Sequence, residues 1–367
     1  MKIEKKYTLG ESTTIFFNGE SEIIFRKGVW NYEEAVMDIG AFDEDTQEAV
    51  LEIFRDMSDG GEVTTDDLFS RYHIDSGDID NVLSVLDELS EQAYLSDGRE
   101  DRIKELITNL IGGTASSGLS GNVAEFATTL LVCDSNPVTE QLVGMSGSME
   151  MDMEVLRLEE MQRIADAPLT ERLDALETEA AYQKLMPTVS RFSSVLICLK
   201  RPRMKLLRNL NRLLLKAGVP FVVCLIDGPF LSVMTIKGYE TGCFECYETR
   251  IMARLESMSA YRNYVEKTSG FLRKSDNTSL TPILGMMASL GLFEAFLINT
   301  IHKAKLAGRV FNIYLPLLEV QVQDLLRVPF CSACGHVAKA SYEEMYTSSE
   351  KIVEKLVDSI EISADGE

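Results

Sequence analysis

The chain has 367 residues, 45% hydrophobic and 26% charged, a composition that excludes wholesale disorder and leaves enough apolar surface for more than one core. Its formal net charge of −22 is unevenly spread: residues 1–100 carry 8 basic and 25 acidic side chains, net −17, against 28 and 33, net −5, in the remainder. Such an acidic N-terminal module repels phosphate backbones and argues against a nucleic-acid partner, whereas a basic peptide would suit it.

The start, MKIEKKYTLGESTT, has no apolar run after its lysines, which points to a reducing cytosol and away from disulfides among the seven cysteines. Residues 12–27, STTIFFNGESEIIFRK, set two β-rich runs around an Asn-Gly-Glu-Ser turn, a hairpin signal, and a preceding strand near KYTL would make three. Three helical patterns follow: EDTQEAVLEIFRDM (44–57), TTDDLFSRYH (64–73) and SGDIDNVLSVLDELSEQ (76–92). Thr64 and Ser76 are placed as N-caps, and Asp59-Gly60-Gly61 breaks the first helix from the second. In the last helix Ile79, Val82, Leu83, Leu86 and Leu89 recur at helical spacing, with acids opposite. Residues 1–100 therefore read as a small α+β domain close to a winged helix. Periodicity alone leaves open whether it only packs or also binds.

Residues 101–122 read as a helix end and a linker, because IGGTASSGLSGN (111–122) is rich in Gly and Ser and has no periodicity. In the larger domain, 123–367, FATTLLVCDSN (126–136), SSVLICLK (193–200) and VPFVVCLID (219–227) are short apolar runs bounded by turn residues, as buried parallel strands are. A long polar helix over roughly 154–185 and RMKLLRNLNRLLLKAG (203–218) separate them, an alternation that implies an α/β sheet with right-handed crossovers. The window TPILGMMASLGLFEAFLINTIHK (281–303) is long enough to span a bilayer, yet it holds Glu294, Asn299 and two glycines and reads as a buried helix, with no membrane partner expected.

The most specific chemistry lies in two Cys-x2-Cys turns, Cys243 and Cys246 in TGCFECYETR (241–250) and Cys331 and Cys334 in PFCSACGH (329–336). Two intervening residues let one tight turn aim both sulfurs at a single ion, and two such turns complete a tetrahedron of thiolates around zinc at about 2.3 Å each. A closed four-thiolate shell leaves no position for a catalytic water, so such a zinc is structural. Eighty-four residues separate the turns, and the fold of the larger domain must bring them together. A redox pair or idle thiols are the alternatives that spacing leaves open, and His336 is a lesser candidate ligand. Cys133, Cys198 and Cys224 lie inside strand patterns and read as small buried hydrophobes. No histidine falls into a nucleophile–base pattern, so no catalytic residue is assigned.

A mononucleotide site needs glycines in the turn after the first strand so that backbone amides can approach phosphates. Here that turn is CDSNPVTEQL, without glycine, and Asp134 and Glu140 repel phosphate. From Lys200 to Lys216 seven basic groups, among them Arg208 and Arg212, occur without an acid. They form either a solvated face on a core-packing helix or a docking surface for an acidic partner.

The run KLLRNLNRLLLKAGVPFVVCLIDGPFLSVMTIKGYETGCFECYETR (205–250), followed by RVFNIYLPLLEVQVQDLLRVPFCSACG (309–335), resembles the ThiF-like, ubiquitin-activating-enzyme-like proteins that partner YcaO enzymes in making azoles in ribosomal peptides. SagC-like and McbB-like proteins are the named branch, and the resemblance covers roughly residues 125–340. It implies an α/β, ThiF-like Rossmann-type sheet domain with structural zinc on Cys243, Cys246, Cys331 and Cys334, behind an N-terminal winged-helix domain that recognises a leader peptide. In that family the leader adds as a strand beside the third strand and packs on the third helix. Carried over, the strand Ile23, Ile24, Phe25, Arg26 and Lys27 and the helix face at Asp80, Leu83 and Asp87 would receive it.

The function so implied is that of a non-catalytic subunit, which delivers a precursor peptide to a YcaO cyclodehydratase for heterocyclisation of Cys, Ser or Thr in bacteriocin or related peptide biosynthesis. ATP would be bound by that partner. A flavin dehydrogenase subunit and a homodimer are further members the resemblance allows. Adenylating members of the superfamily use the glycine-rich turn and a metal-binding aspartate after a later strand. This chain has CDSNPVTE at the first place and Leu199-Lys200-Arg201-Pro202 at the second. An active ThiF-like ATP-dependent adenylating enzyme remains the alternative, and a winged-helix regulator is a third reading that the N-terminal charge opposes.

Overall fold

The computed structural model describes residues 5–10, 12–19, 21–30, 32–75, 77–92, 94–96, 127–170, 175–200, 202–267 and 281–335. The chain divides into two compact units, Met1–Val123 and Ala124–Glu367. The linker expected at 101–122 lies outside the described residues, as does Ser76.

In the first unit β1 (Lys6–Leu9) precedes a meander of β2 (Thr13–Asn18), β3 (Glu22–Lys27) and β4 (Glu33–Asp38). The β2–β3 turn falls where Asn-Gly marks it, with Gly19 at φ 71°, a left-handed conformation that side chains disfavour. Pairing in the order β2-β3-β4 puts Ile15, Ile23, Phe25 and Met37 on one buried face. That face shares a core with Val50, Ile53, Phe54 and Met57 of α1 (Glu44–Ser58), and Phe25 meets Phe54 edge-on at 4.9 Å. Asp43 caps α1 by accepting from the Thr46 amide, and Thr64 forms a reciprocal capping box with Asp67 at α2 (Thr65–Ser70). α3 (Ile79–Glu91) buries Ile79, Val82, Leu86 and Leu89 and leaves Leu83 half-exposed.

The strand at KYTL forms, but it does not extend the hairpin. β1 pairs with β5 (Val63–Thr64) and β6 (Leu95–Ser96) in a separate sheet, and the third strand of the meander is β4. Its sequence, EEAVMD, buries only Met37, too little apolar alternation to signal a strand. The helix expected over 64–73 stops at Ser70.

The second unit is built on one seven-stranded mixed sheet, in the order β13-β12-β11-β10-β9-β7-β8. β7 (Thr128–Cys133), β9 (Ser194–Leu199) and β10 (Phe221–Asp227) are the three apolar runs, parallel as expected, and β8 (Asp152–Val155) joins them in parallel beside β7. The helices around them are α4 (Asn136–Ser148), α5 (Leu158–Asp166), α6 (Ala175–Leu185) and α7 (Met204–Ala217). The single helix expected over 154–185 is thus β8, α5 and α6. Asp152–Val155 is drawn into the sheet by β7, and the chain turns at Pro168.

The other half of the sheet is antiparallel: β11 (Phe230–Ile236), β12 (Arg309–Tyr314) and β13 (Glu319–Asp324). Between β11 and β12 run α8 (Phe244–Met252), α9 (Met258–Lys267) and α10 (Thr281–Ile301). By length and composition α10 could cross a membrane, yet it packs across β9, β10 and β11. The approach is close, because a Cβ on Gly291 would overlap the Cys224 sulfur and lie 2.8 Å from a Leu196 methyl. Its buried acid, Glu294, accepts from Thr235 Oγ1 at 2.8 Å and from the amides of Lys305 and Leu306 at 3.2 and 2.9 Å, which fastens the following loop to β11.

Candidate metal centre

Topology solves the separation of the two Cys-x2-Cys turns. β12 is antiparallel to both β11 and β13, so those two strands run the same way and their outgoing loops leave from one end of the sheet. Cys243 and Cys331 each stand seven residues beyond the end of their strand. The four Sγ atoms lie within 4.8 Å of one another, and all four side chains are buried. Sulfur–sulfur separations are 3.8 Å for Cys243–Cys246, 3.6 Å for Cys243–Cys331 and 3.4 Å for Cys246–Cys334. A tetrahedron with zinc–sulfur arms of about 2.3 Å has edges of about 3.8 Å, so the donor set and its size fit zinc.

Local backbone shapes each turn. Cys243 is the N-cap residue of α8, and the Cys246 amide donates to the Cys243 carbonyl at 3.0 Å. In the second turn the Gly335 amide donates to the Cys331 carbonyl at 2.9 Å, and a Cβ at Gly335 would lie 2.6 Å from that oxygen, so only glycine fits. Gly242 plays the same part in the first turn, where its amide bonds the Leu325 carbonyl at 3.2 Å and a Cβ would overlap it. The Val328 amide donates to Cys246 Sγ at 3.3 Å. Without a cation the thiols share protons, and the hydrogen bond from Cys243 to Cys246 drives Cys243 above the usual thiol range and Cys246 below it. A bound cation replaces those protons. His336 lies outside the described residues.

Periodicity did not find the residues that lace the turns together. Glu245, inside the first turn, takes a two-point contact from Arg212 at 2.8 and 2.9 Å and accepts from Ser332 Oγ of the second turn at 2.8 Å. Asn211 accepts from the Phe244 amide at 3.0 Å. One turn further along α8, Glu248 pairs with Arg208 and accepts from Tyr261. Lys216 pairs with Glu179. Arg208, Arg212 and Lys216 are therefore spent on internal carboxylates, and α7 offers neither a plain solvated face nor a docking surface built on them.

Cys133, Cys198 and Cys224 are buried as expected, and they stand in register across β7, β9 and β10. Burial lifts the Cys133 thiol to about 12, out of reach of ionisation. The crevice where strand order reverses, between β7 and β9, is where open α/β sheets bind ligands. There the Asp134 carboxylate accepts from the Lys200 amide at 2.8 Å, and α4 begins with Asn136-Pro137 instead of glycines. A phosphate would meet a carboxylate at that place.

Among the residues expected to receive a leader, Ile23, Ile24, Phe25 and Lys27 are buried, and Arg26 is half-buried over the Tyr32 ring. β3 is the middle strand, hydrogen-bonded on both sides, so it cannot accept a further strand; this corrects the expectation that Ile23–Lys27 is the receiving edge. Both of its neighbours, β2 and β4, have an outer edge without a strand partner among the described residues. On α3, Asp80 is exposed and Leu83 is half-exposed, while Asp87 is engaged by Lys5 and the Tyr7 hydroxyl at 2.7 and 2.6 Å.

No protein-family model matches the chain, and no curated protein matches it by sequence. Solved structures match it by fold. The chain is similar to a heterocyclase in complex with substrate and cofactor, with a TM-score of 0.56 and 11% identity over 90% of this chain and 39% of that one. It is also similar to the heterocyclase TruD, with a TM-score of 0.51 and 14% identity over 90% of this chain and 43% of that one. E. coli MccB gives a TM-score of 0.43 at 12% identity, too low to argue from. The chain thus has the mixed α/β architecture found within heterocyclases, and it spans about two-fifths of their length.

Proposed function

We propose that the chain is a leader-peptide-binding scaffold for azole formation in ribosomal peptides: it holds a precursor peptide by its N-terminal unit and presents it to a YcaO-type cyclodehydratase. The observation that supports this reading is the likeness in fold, over 90% of this chain, to two heterocyclases, one of them in complex with its substrate. A flavin dehydrogenase that oxidises the azolines belongs to the same reading.

The N-terminal unit, with a three-stranded meander followed by three helices, is read as the winged-helix recognition domain. The leader adds to the outer edge of β4 instead of to β3, and packs toward Leu83 on α3. Four thiolates hold one structural zinc, which fastens the loops after β11 and β13. Binding of the leader raises the effective concentration of the core peptide at the partner. ATP then belongs to the partner, in keeping with Asp134 at the switch point. Isothermal titration of the purified chain with Mg-ATP tests this last part: no saturable heat is expected, and saturable binding would favour an adenylating enzyme.

A further inference from the structure

At the amino ends of β9 and β10, opposite the crevice where the strand order reverses, lies a pocket of about 280 Å³. Its floor is apolar: Pro220 just ahead of β10, Ile298 of α10, and Ala304 and Ala307 of the loop before β12. Lys237 and His302 also line it, and both are exposed, which puts an ammonium and an imidazole at its mouth. The wall they stand on is tied down. Glu294 holds the loop through the Lys305 and Leu306 amides, the Gly308 amide donates to the Thr235 carbonyl at 3.2 Å, and Thr235 itself lines the pocket. His302 ends α10 at φ 53°, a left-handed conformation uncommon outside glycine, with its amide on the Ile298 carbonyl at 3.1 Å. In residues 293–309 the only acid is Glu294, while His302, Lys303, Lys305 and Arg309 are basic, a local reversal in a chain of net charge −22. Glu294 spends its oxygens on Thr235 Oγ1 and the two loop amides. Lys237 faces Glu240 at 3.3 Å, but that pair is open to water and holds weakly.

We propose that this pocket binds a small apolar carboxylate, a short aliphatic or aryl acid. The hydrocarbon body lies on Pro220, Ile298, Ala304 and Ala307, and the carboxylate accepts from Lys237 Nζ and the His302 ring at the mouth. Ligand pockets run from about 300 to 1,000 Å³, so this one is at the small end and suits a ligand of a few carbons more readily than a nucleotide. An apolar floor under a basic mouth selects sign as well as size: the same body with an ammonium head would meet two like groups. The site does not depend on what the N-terminal unit binds.

Isothermal titration of the full chain with sodium octanoate is expected to saturate at one ligand per chain, and octylamine is expected not to bind. Lys237→Gln together with His302→Asn removes both head-group contacts at exposed positions, and asparagine accepts the left-handed backbone. This variant should keep the native melting temperature and lose about tenfold in octanoate affinity. Ala304→Leu fills the floor and should abolish binding. No saturable octanoate binding by the native chain overturns the proposal. So does equal binding of octylamine, or native octanoate affinity in either variant.

Discussion

Glu245 lies between Cys243 and Cys246, and its carboxylate joins Arg212 of α7 to Ser332 of the second turn. The pair is nearly dry, so Arg212→Leu, which leaves that carboxylate without its cation, should cost about 3–5 kcal/mol in urea unfolding. Cys243→Ser should lower metal content from about one zinc per chain to none and lower the melting temperature. Glu294 offers a pH test. Burial raises its folded pKa above the ordinary 4.5, so the folded state holds the proton longer than the unfolded chain. Stability should therefore fall as pH rises from about 4.5 through the folded value, and Glu294→Gln should flatten that fall in a melting-temperature profile. At this scale the four cysteines were legible because their spacing is a chemical pattern. Arg208, Arg212, Glu245 and Glu248 were not, since a charged residue on a helix reads the same whether it faces water or a buried partner.

Among the elements, α10 owes its seat to Gly291, which admits Cys224 and Leu196. Gly291→Ala should overpack that contact and cost about 1–3 kcal/mol by chemical denaturation. β4 is the element on which the proposed peptide capture turns. The Ile39 amide bonds the Ser21 carbonyl beside β3, so the Val36 amide, three residues earlier, points outward. Val36→Pro removes that donor without touching the β3 ladder, and should weaken a strand added there roughly tenfold. The buried parallel strands were legible as continuous apolar runs. β4, β8 and β13 were not, because edge strands bury one face or none, and their pairing partners lie far away in sequence.

For the molecule as a whole, charge separated an acidic first module from a nearly balanced second one, and the Cys spacing foretold a centre that only the antiparallel half of the sheet could assemble. KYTL was counted into a sheet it does not join, so Ile23–Lys27 falls on the middle strand of the meander and not on an edge. Trp30, the only tryptophan, stands in the β3–β4 connection and is 91% exposed, a native reporter for events at that edge. The central claim is peptide capture at β4. It is tested most directly by fluorescence anisotropy of labelled candidate precursor peptides, titrated with the native chain and with Val36→Pro. Saturable binding by the native chain, a concurrent change in Trp30 emission, and weaker binding by Val36→Pro are predicted. No binding by the native chain, or equal binding by both, would contradict it.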